Sequence, residues 1–160
     1  MPDDLYDRDA LAWSEHQSSL LRRVARGERV NEVDWDHVIE EIEDVGLSQL
    51  HAVESYLELI LVHLLKITTW PDSDAVSHWR AELASFQSNA VRRFAPSMHQ
   101  RLDMASAYRS AVRQVILLNS GERPAWWPAE SPFTIEQLLN EECPELEHRL
   151  SAAPPAPAVN

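Results

Sequence analysis

The amino-acid sequence predicts an all-α fold, an irregular four- to five-helix bundle with a C-terminal arm. Apolar residues recur at the 3.6-residue spacing of amphipathic helices over most of the chain. Only 3 of the 160 residues are glycine, which argues against a sheet-rich fold with many tight turns. Residues that favour helix N-caps stand before four of the apolar runs: Asp7, Asp34, Ser97 and Thr134.

The first two helices follow from their caps and stops. Helix one is expected to begin after Asp7 and to end at Gly27, since glycine readily adopts the conformation of a helix C-terminus. Helix two is expected to begin after Asp34 and to run to Lys66, bent near Gly46, because its apolar stripe keeps the helical spacing throughout. A break into two helices at Gly46 is the alternative. The stripe consists of Trp35, Val38, Ile42, Val45, Leu50, Val53, Leu57, Ile60 and Leu64.

The later helices are shorter. The third is predicted over about 77–95 and the fourth over 97–121. A capping box of Thr134 and Gln137 opens a fifth, which Pro144 is expected to end. One contiguous core is expected to combine Trp13, Ile42, Leu57, Leu64, Leu83, Phe86, Leu102, Tyr108 and Val112.

The chain length suits one domain, predicted over residues 1–150 and followed by a disordered Ala/Pro-rich tail over 151–160. A chain of 160 residues buries roughly 68–70% of its unfolded surface without help from a metal or disulfide. The one cysteine, Cys143, has no partner for a disulfide and no basic neighbour in sequence. We therefore expect no reactive thiol.

The net charge of −12 is unevenly distributed. Residues 1–60 carry 15 acidic and 5 basic residues, residues 61–128 carry 5 and 8, and residues 129–160 carry 6 and 1. Most of this surface would repel a phosphate backbone, so nucleic acid is not expected as a partner. The acidic N-terminus does not resemble a signal peptide, and no apolar run is long enough to span a bilayer. Both observations predict a cytoplasmic protein with no membrane partner.

Several motifs stand in the order of a known family. They are Tyr6-Asp7-x-Asp9-x-x-x-Trp13-x-x-x-Gln17-x-x-Leu20-Leu21-Arg22, Glu40-Glu41-Ile42-Glu43-x-x-Gly46, His63-Leu64-Leu65-Lys66, Ala107-Tyr108 and Thr134-x-x-Gln137-Leu138-Leu139. Over roughly residues 6–144 the chain resembles the bacterial and cyanobacterial "domain of unknown function family 29". It departs from the family pattern at Ala10, where an aromatic is usual, and at His78, where serine is typical. The resemblance implies an all-helical bacterial protein, but no established activity and no catalytic residue.

Carboxylates are densest at the start of helix two. We interpret the run as a solvated acidic face, which also suits the positive end of the helix dipole. Glu41 differs, because it lies at the edge of the apolar stripe and is either exposed with the rest or buried with a donor. His63 also adjoins the stripe, where a core histidine bonded to a carboxylate or carbonyl is expected. The run comprises Asp34, Asp36, Glu40, Glu41, Glu43 and Asp44.

No motif for a cofactor or metal is present. Ferritin-like bundles need Glu-x-x-His pairs on facing helices, but an acid stands three residues before only His37 and His148. HExxH, CxxC, GxSxG and a glycine-rich phosphate loop are absent from the sequence. We therefore expect no cofactor and no metal; a metal site assembled from separate helices is the alternative.

Arginines and a tryptophan pair are the other features to interpret. The arginines of helices three and four, Arg109 and Arg113 among them, are expected mainly to pair with the acids of helix two inside the fold. An acidic protein partner or nucleic acid are the alternatives. Trp126 and Trp127 lie in a proline-rich loop. That loop either clamps onto its own bundle, which we favour, or forms a contact surface for another protein.

These observations favour a small acidic interaction or regulatory protein that binds another macromolecule, for example a basic protein. The alternative is an enzyme or metal-binding helical bundle that uses Glu41, His63 and an arginine. Glu41 and His63 are 22 positions apart, about 33 Å on a straight helix at about 1.5 Å per residue. We therefore expect them to lie far apart if helix two is continuous. The sequence predicts no particular oligomeric state.

Overall fold

A computed structural model describes residues 3–157, and within that range the chain is helical and forms no β-strand. The all-α prediction is confirmed. The described residues form seven α-helices rather than four or five, because further short helices stand near the two ends of the chain. They are α1 (Asp3–Arg8), α2 (Ala10–Ala25), α3 (Trp35–Thr69), α4 (Val76–Arg93), α5 (Met104–Leu118), α6 (Ile135–Asn140) and α7 (Cys143–Ala152).

The chain divides into two compact units, Met1–Ser48 and Gln49–Asn160. The sequence predicted one domain over 1–150 and a tail over 151–160. The division into two units differs from these bounds, which stay a prediction. At the end of the chain α7 continues to Ala152, and the backbone N–H of Ala156 donates to the carbonyl of Trp127 at 3.0 Å. Residues 158–160 of the predicted tail lie outside the described residues.

Capping determines where the helices of the first unit begin and end. The side chain of Asp9 accepts a hydrogen bond of 3.0 Å from the backbone of Ala12, so α2 begins after Asp9. The predicted cap at Asp7 is wrong, because Asp7 lies inside α1. Gly27 follows α2 with a φ of 84°, the left-handed conformation expected of it.

Helix α3 is continuous for 35 residues. Gly46 lies inside it and is exposed. One glycine weakens a helix by only about 1 kcal/mol, so Gly46 does not end α3. The prediction of one helix rather than two is confirmed. At the start of α3 the carboxylate of Asp34 accepts a hydrogen bond from the backbone of His37, as an N-cap does.

Three helix ends in the second unit test the predicted caps. The N-cap of α5 is Asp103 and not Ser97, which lies inside a short 3₁₀ helix, Pro96–Met98. Thr134 and Gln137 form the predicted capping box of α6. Pro144 does not end a helix but stands in the first turn of α7, where its missing N–H needs no partner.

The hydrophobic core of the second unit is built on the part of α3 from Leu50 to Ile67. Phe86 packs against this core and is partly buried, whereas Trp13 is buried within the first unit. Ile42 was expected in the core and is 68% exposed, so that prediction is wrong. The predicted core residues that the structure confirms are Leu57, Leu64, Leu83, Leu102, Tyr108 and Val112.

Candidate interaction surface

A hydrogen-bonded network in the first unit holds the first turns of α3 in place. The carboxylate of Asp34 accepts from the Trp13 indole N–H at 3.1 Å and contacts Nδ1 of His37 at 2.7 Å. The ring of Tyr6 stacks on that of His37 with centroids 4.0 Å apart, and its hydroxyl donates to Glu41 at 2.8 Å. Burial alone would raise the pKa of Asp34, but its hydrogen bonds with His37 and Trp13 outweigh burial and lower the pKa.

The same network explains why the first motif contains a glutamine. Gln17 is buried, and its side-chain oxygen accepts the backbone N–H of Asp34 at 2.9 Å. Trp13 and Gln17 are one helical turn apart on α2, so both reach the residue that caps α3. These motif residues therefore have clear structural roles.

An apolar stripe on α3 remains exposed beside this network. Within the first unit Val38 is buried, but its neighbours on the next face of the helix are not. They recur at intervals of three and four residues, so they share one side of α3. We call them the α3 stripe: Trp35 (50% exposed), Ile39 (52%), Ile42 (68%) and Val45 (66%).

Exposed carboxylates adjoin the α3 stripe. Glu43 follows Ile39 by one turn, and Asp36 and Glu40 lie on the next row of the helix surface. The interpretation of the acidic run as a solvated face agrees with the exposure of five of its members, Asp36, Glu40, Glu41, Glu43 and Asp44. It is wrong for the sixth, Asp34, whose carboxylate is partly buried and hydrogen-bonded. The sequence analysis placed Trp35, Ile42 and Val45 on one apolar stripe and expected Ile42 in the core, so it missed that this part of the stripe is exposed. The density of acids on the same helix was the signal against burial.

Glu41 is exposed and accepts its hydrogen bond from Tyr6. The role considered for Glu41 combined burial with a hydrogen-bond donor. The donor is present, but Glu41 is not buried. That partner is a phenol rather than an arginine, and it lies within the first unit.

His63 is buried in the second unit and uses both ring nitrogens. Nδ1 lies 2.8 Å from the carbonyl oxygen of Leu59, and Nε2 lies 2.8 Å from a carboxylate oxygen of Glu82. Both ring nitrogens are therefore engaged, one with the backbone of its own helix and one with α4. The hydrogen bond from His63 lowers the pKa of Glu82, with smaller contributions from the charges of His78 and Lys66.

The described contacts place Glu41 and His63 in two separate networks. Glu41 is bonded to Tyr6, whereas His63 is bonded to Glu82, and neither bonds to an arginine. In the described residues no group of three or more His, Cys, Asp or Glu side chains is placed to hold a metal ion. The arrangement needed for an enzyme based on Glu41, His63 and an arginine is not assembled by these contacts.

Arg109 and Arg113 are exposed on α5 and form no ion pair with any described residue. The expected pairing with acids of helix two is therefore not found for them. They line a cavity of about 340 Å³ together with Val112, Ile116 and Leu117. We call this cavity the α5 groove; apolar side chains and arginines line it.

The loop after α5 lies over the second unit, as favoured from sequence. Trp127 is fully buried and so cannot serve as a contact surface, while Trp126 is 38% exposed. The carbonyl of Pro128 accepts hydrogen bonds from the Tyr108 hydroxyl at 2.9 Å and from Arg123 at 2.6 Å. The loop is therefore bonded to α5 through Tyr108, and it contributes Arg123 and Ala129 to the lining of the α5 groove.

A cavity of about 270 Å³ in the second unit is lined by carboxylates that the sequence did not single out. Glu58 accepts hydrogen bonds from the hydroxyl of Ser110 at 2.8 Å and from the amide of Gln114. Asp103 accepts from the backbone as the N-cap of α5. These two carboxylates are engaged in holding α5, which gives them a structural role.

The thiol of Cys143 is held in its protonated form. Burial raises the pKa of Cys143 to about 12, and a hydrogen bond to Glu147 at 3.2 Å adds to the effect. Glu147 in turn receives two hydrogen bonds from Arg80, at 2.8 and 2.9 Å. The expectation of an unreactive thiol agrees with this arrangement.

Comparisons with known proteins identify relatives without an assigned activity. Among the described residues no helix is both long and apolar enough to cross a membrane. The structure is similar to a crystal structure of an α-helical protein of unknown function from Rhodospirillum rubrum, with a TM-score of 0.69 and 26% sequence identity. The match covers 91% of this chain and 96% of that one. No curated protein matches the chain. The model of the family described as "Domain of unknown function DUF29" matches residues 5–143, and the chain belongs to that family.

Proposed function

We propose that this protein is a small acidic interaction protein whose docking surface is the α3 stripe. The carrying observation is the stripe itself, four large apolar residues at helical spacing that are each at least half exposed. Contiguous exposed apolar surface bordered by polar residues is characteristic of sites that bind other proteins. Tryptophan is also the residue type most enriched among interface positions that dominate affinity, and Trp35 begins the stripe.

The chemistry of the partner follows from what borders the stripe. Asp36, Glu40 and Glu43 are exposed beside it and form no ion pair with a described residue. A partner helix with an apolar face and flanking lysines or arginines would bury the stripe and approach these carboxylates. We therefore propose a basic amphipathic helix as the bound element.

The network of the first unit holds the start of α3, the helix that carries the α3 stripe. Asp34, which caps α3 one residue before Trp35, is held by Trp13 and by Gln17. A surface whose backbone is already fixed loses less conformational entropy on binding than a flexible segment does. The network is thus consistent with a preformed docking face.

The proposal is tested by calorimetric titration with a synthetic helix of leucine and lysine at i, i+3, i+4 and i+7 spacing. A peptide of the same composition in scrambled order is the control ligand. We expect the ordered peptide to bind, binding to weaken with added salt, and Trp35→Ala and Ile42→Asp to abolish it. Val91→Asp, a change at an exposed apolar residue of α4, should leave affinity unchanged. Equal binding by the stripe variants and the wild type would overturn the proposal.

A further inference from the structure

The α5 groove has the properties that the proposed function requires of a partner surface. Its lining includes the apolar residues Val112, Ile116 and Leu117 and the basic residues Arg109 and Arg113. Leu117 is 75% exposed, so the groove opens to solvent with apolar surface uncovered. It lies wholly within the second unit, whereas the α3 stripe lies within the first.

The charges of the groove form no ion pair with the part of the chain that the structure describes. Arg109 and Arg113 form no ion pair with any described residue. Arg123, a third lining arginine, donates to the carbonyl of Pro128 and so keeps an uncompensated charge. Arginine carries its charge at all relevant pH values and pairs with carboxylates in a fixed two-point geometry. The groove therefore offers three positive charges to an acidic surface.

The two surfaces also match in length. The α3 stripe spans ten residue steps, from Trp35 to Val45, about 15 Å at the helical rise. Arg109, Arg113 and Leu117 recur at one-turn intervals over eight steps, about 12 Å. Each surface is thus a helix face of roughly two to three turns with both apolar and charged side chains, acidic in one case and basic in the other.

We propose that the α5 groove of a second copy of this chain binds the α3 stripe, with the Trp35 side chain seated in the groove. This inference rests on the proposed function and names the partner. The arginines of the groove then face Asp36, Glu40 and Glu43 of the first copy. The contact joins two different surfaces, so a single contact of this kind links two copies.

Sedimentation velocity over a range of concentrations tests the proposal on the full chain. We expect a monomer–dimer equilibrium that shifts towards monomer as salt is added. Ile42→Asp, which damages the stripe, and Arg113→Glu, which damages the groove, should each raise the dimer dissociation constant roughly 30-fold or more. Both residues are exposed, so neither change disturbs the core. Val91→Asp is the matched control on α4 and should dimerise as the wild type does.

Mixing the two damaged variants gives the decisive result. An Ile42→Asp chain keeps its groove and an Arg113→Glu chain keeps its stripe, so a mixture contains one intact contact and should form a heterodimer that neither variant forms alone. Failure of the mixture to associate, or dimers of unchanged affinity in both variants, would overturn the proposal. A wild type that stays monomeric yet binds the basic amphipathic peptide would overturn self-association alone and leave the proposed function standing. A wild type that dimerises by way of the stripe but does not bind the peptide would overturn the assignment of a general basic-helix partner.

Discussion

The hydroxyl of Tyr6 donates a hydrogen bond of 2.8 Å to the carboxylate of Glu41, 35 positions later in the chain. This contact links α1 to α3 within the first unit. It joins a residue of the first motif segment, Tyr6, to a residue of the second, Glu41. Tyr6, the partner of Glu41, helps to position a helix. The carboxylate of Glu41 therefore has a structural role.

The titration of Tyr6 should report this contact. The hydrogen bond to Glu41 raises the pKa of Tyr6 to about 12, from an ordinary value of 10.0, and nearby negative charges add to the effect. Stabilisation by the contact is therefore complete below pH 10.0 and is lost as the pH rises through about 12. In Glu41→Gln we expect the pKa of Tyr6 to fall towards 10.0, measured by ultraviolet absorbance of tyrosinate. Glu43→Gln should leave the titration unchanged, and an unchanged Tyr6 in Glu41→Gln would contradict the contact.

Asp34 should matter more to stability than the acids that follow it. Asp34→Ala removes the cap of α3 and leaves the indole N–H of buried Trp13 without its acceptor. We expect the free energy of unfolding to fall by about 1–3 kcal/mol, measured by urea denaturation. Asp36→Ala, one position into the helix and exposed, should cost no more than about 1 kcal/mol. Equal losses in the two variants would show that the network around Asp34 adds nothing.

Helix caps show how far local sequence predicts this fold. The box of Thr134 and Gln137 was predicted correctly because both partners lie within four residues of each other. Asp7 and Ser97 were predicted as caps, but the structure uses Asp9 and Asp103. All four residues are of types that cap helices well. Local sequence does not reveal which of several nearby caps the tertiary contacts select, so helix existence was predictable and helix boundaries were less so.

Long-range pairing could not be predicted from sequence. His63 finds Glu82 on α4, 19 positions away, and the periodicity of α3 indicates only that His63 adjoins the core. Ile42 shows the same limit. Apolar residues at helical spacing indicate that they share one face of a helix, but not whether another element covers that face. The candidate surface was missed for that reason.

The pair of His63 and Glu82 should stabilise the protein in a pH-dependent way. The pKa of Glu82 is lowered by the hydrogen bond from His63. The stabilisation is therefore present above the ordinary glutamate pKa and disappears as the pH falls through the lowered one. We expect Glu82→Gln to be less stable than the wild type at neutral pH and equally stable in acid, by urea denaturation at a series of pH values. Glu130→Gln, at an exposed loop position, is the control and should show no such convergence. A difference for Glu82→Gln that stays constant with pH would contradict the lowered pKa of Glu82.

Leu57 and Ile42 provide the sharpest test of where the core ends, because both are large aliphatic residues of the same helix. Leu57 is 1% exposed within the core of the second unit, and Ile42 is 68% exposed. Leu57→Ala should reduce the free energy of unfolding by roughly 2–5 kcal/mol, and Ile42→Ala should change it by less than about 0.5 kcal/mol. Both are measured by urea denaturation at protein concentrations where the wild type is monomeric, so that burial by a second copy does not contribute. A loss of several kcal/mol for Ile42→Ala under those conditions would mean that the α3 stripe is covered within the monomer, and the docking surface would be lost with it.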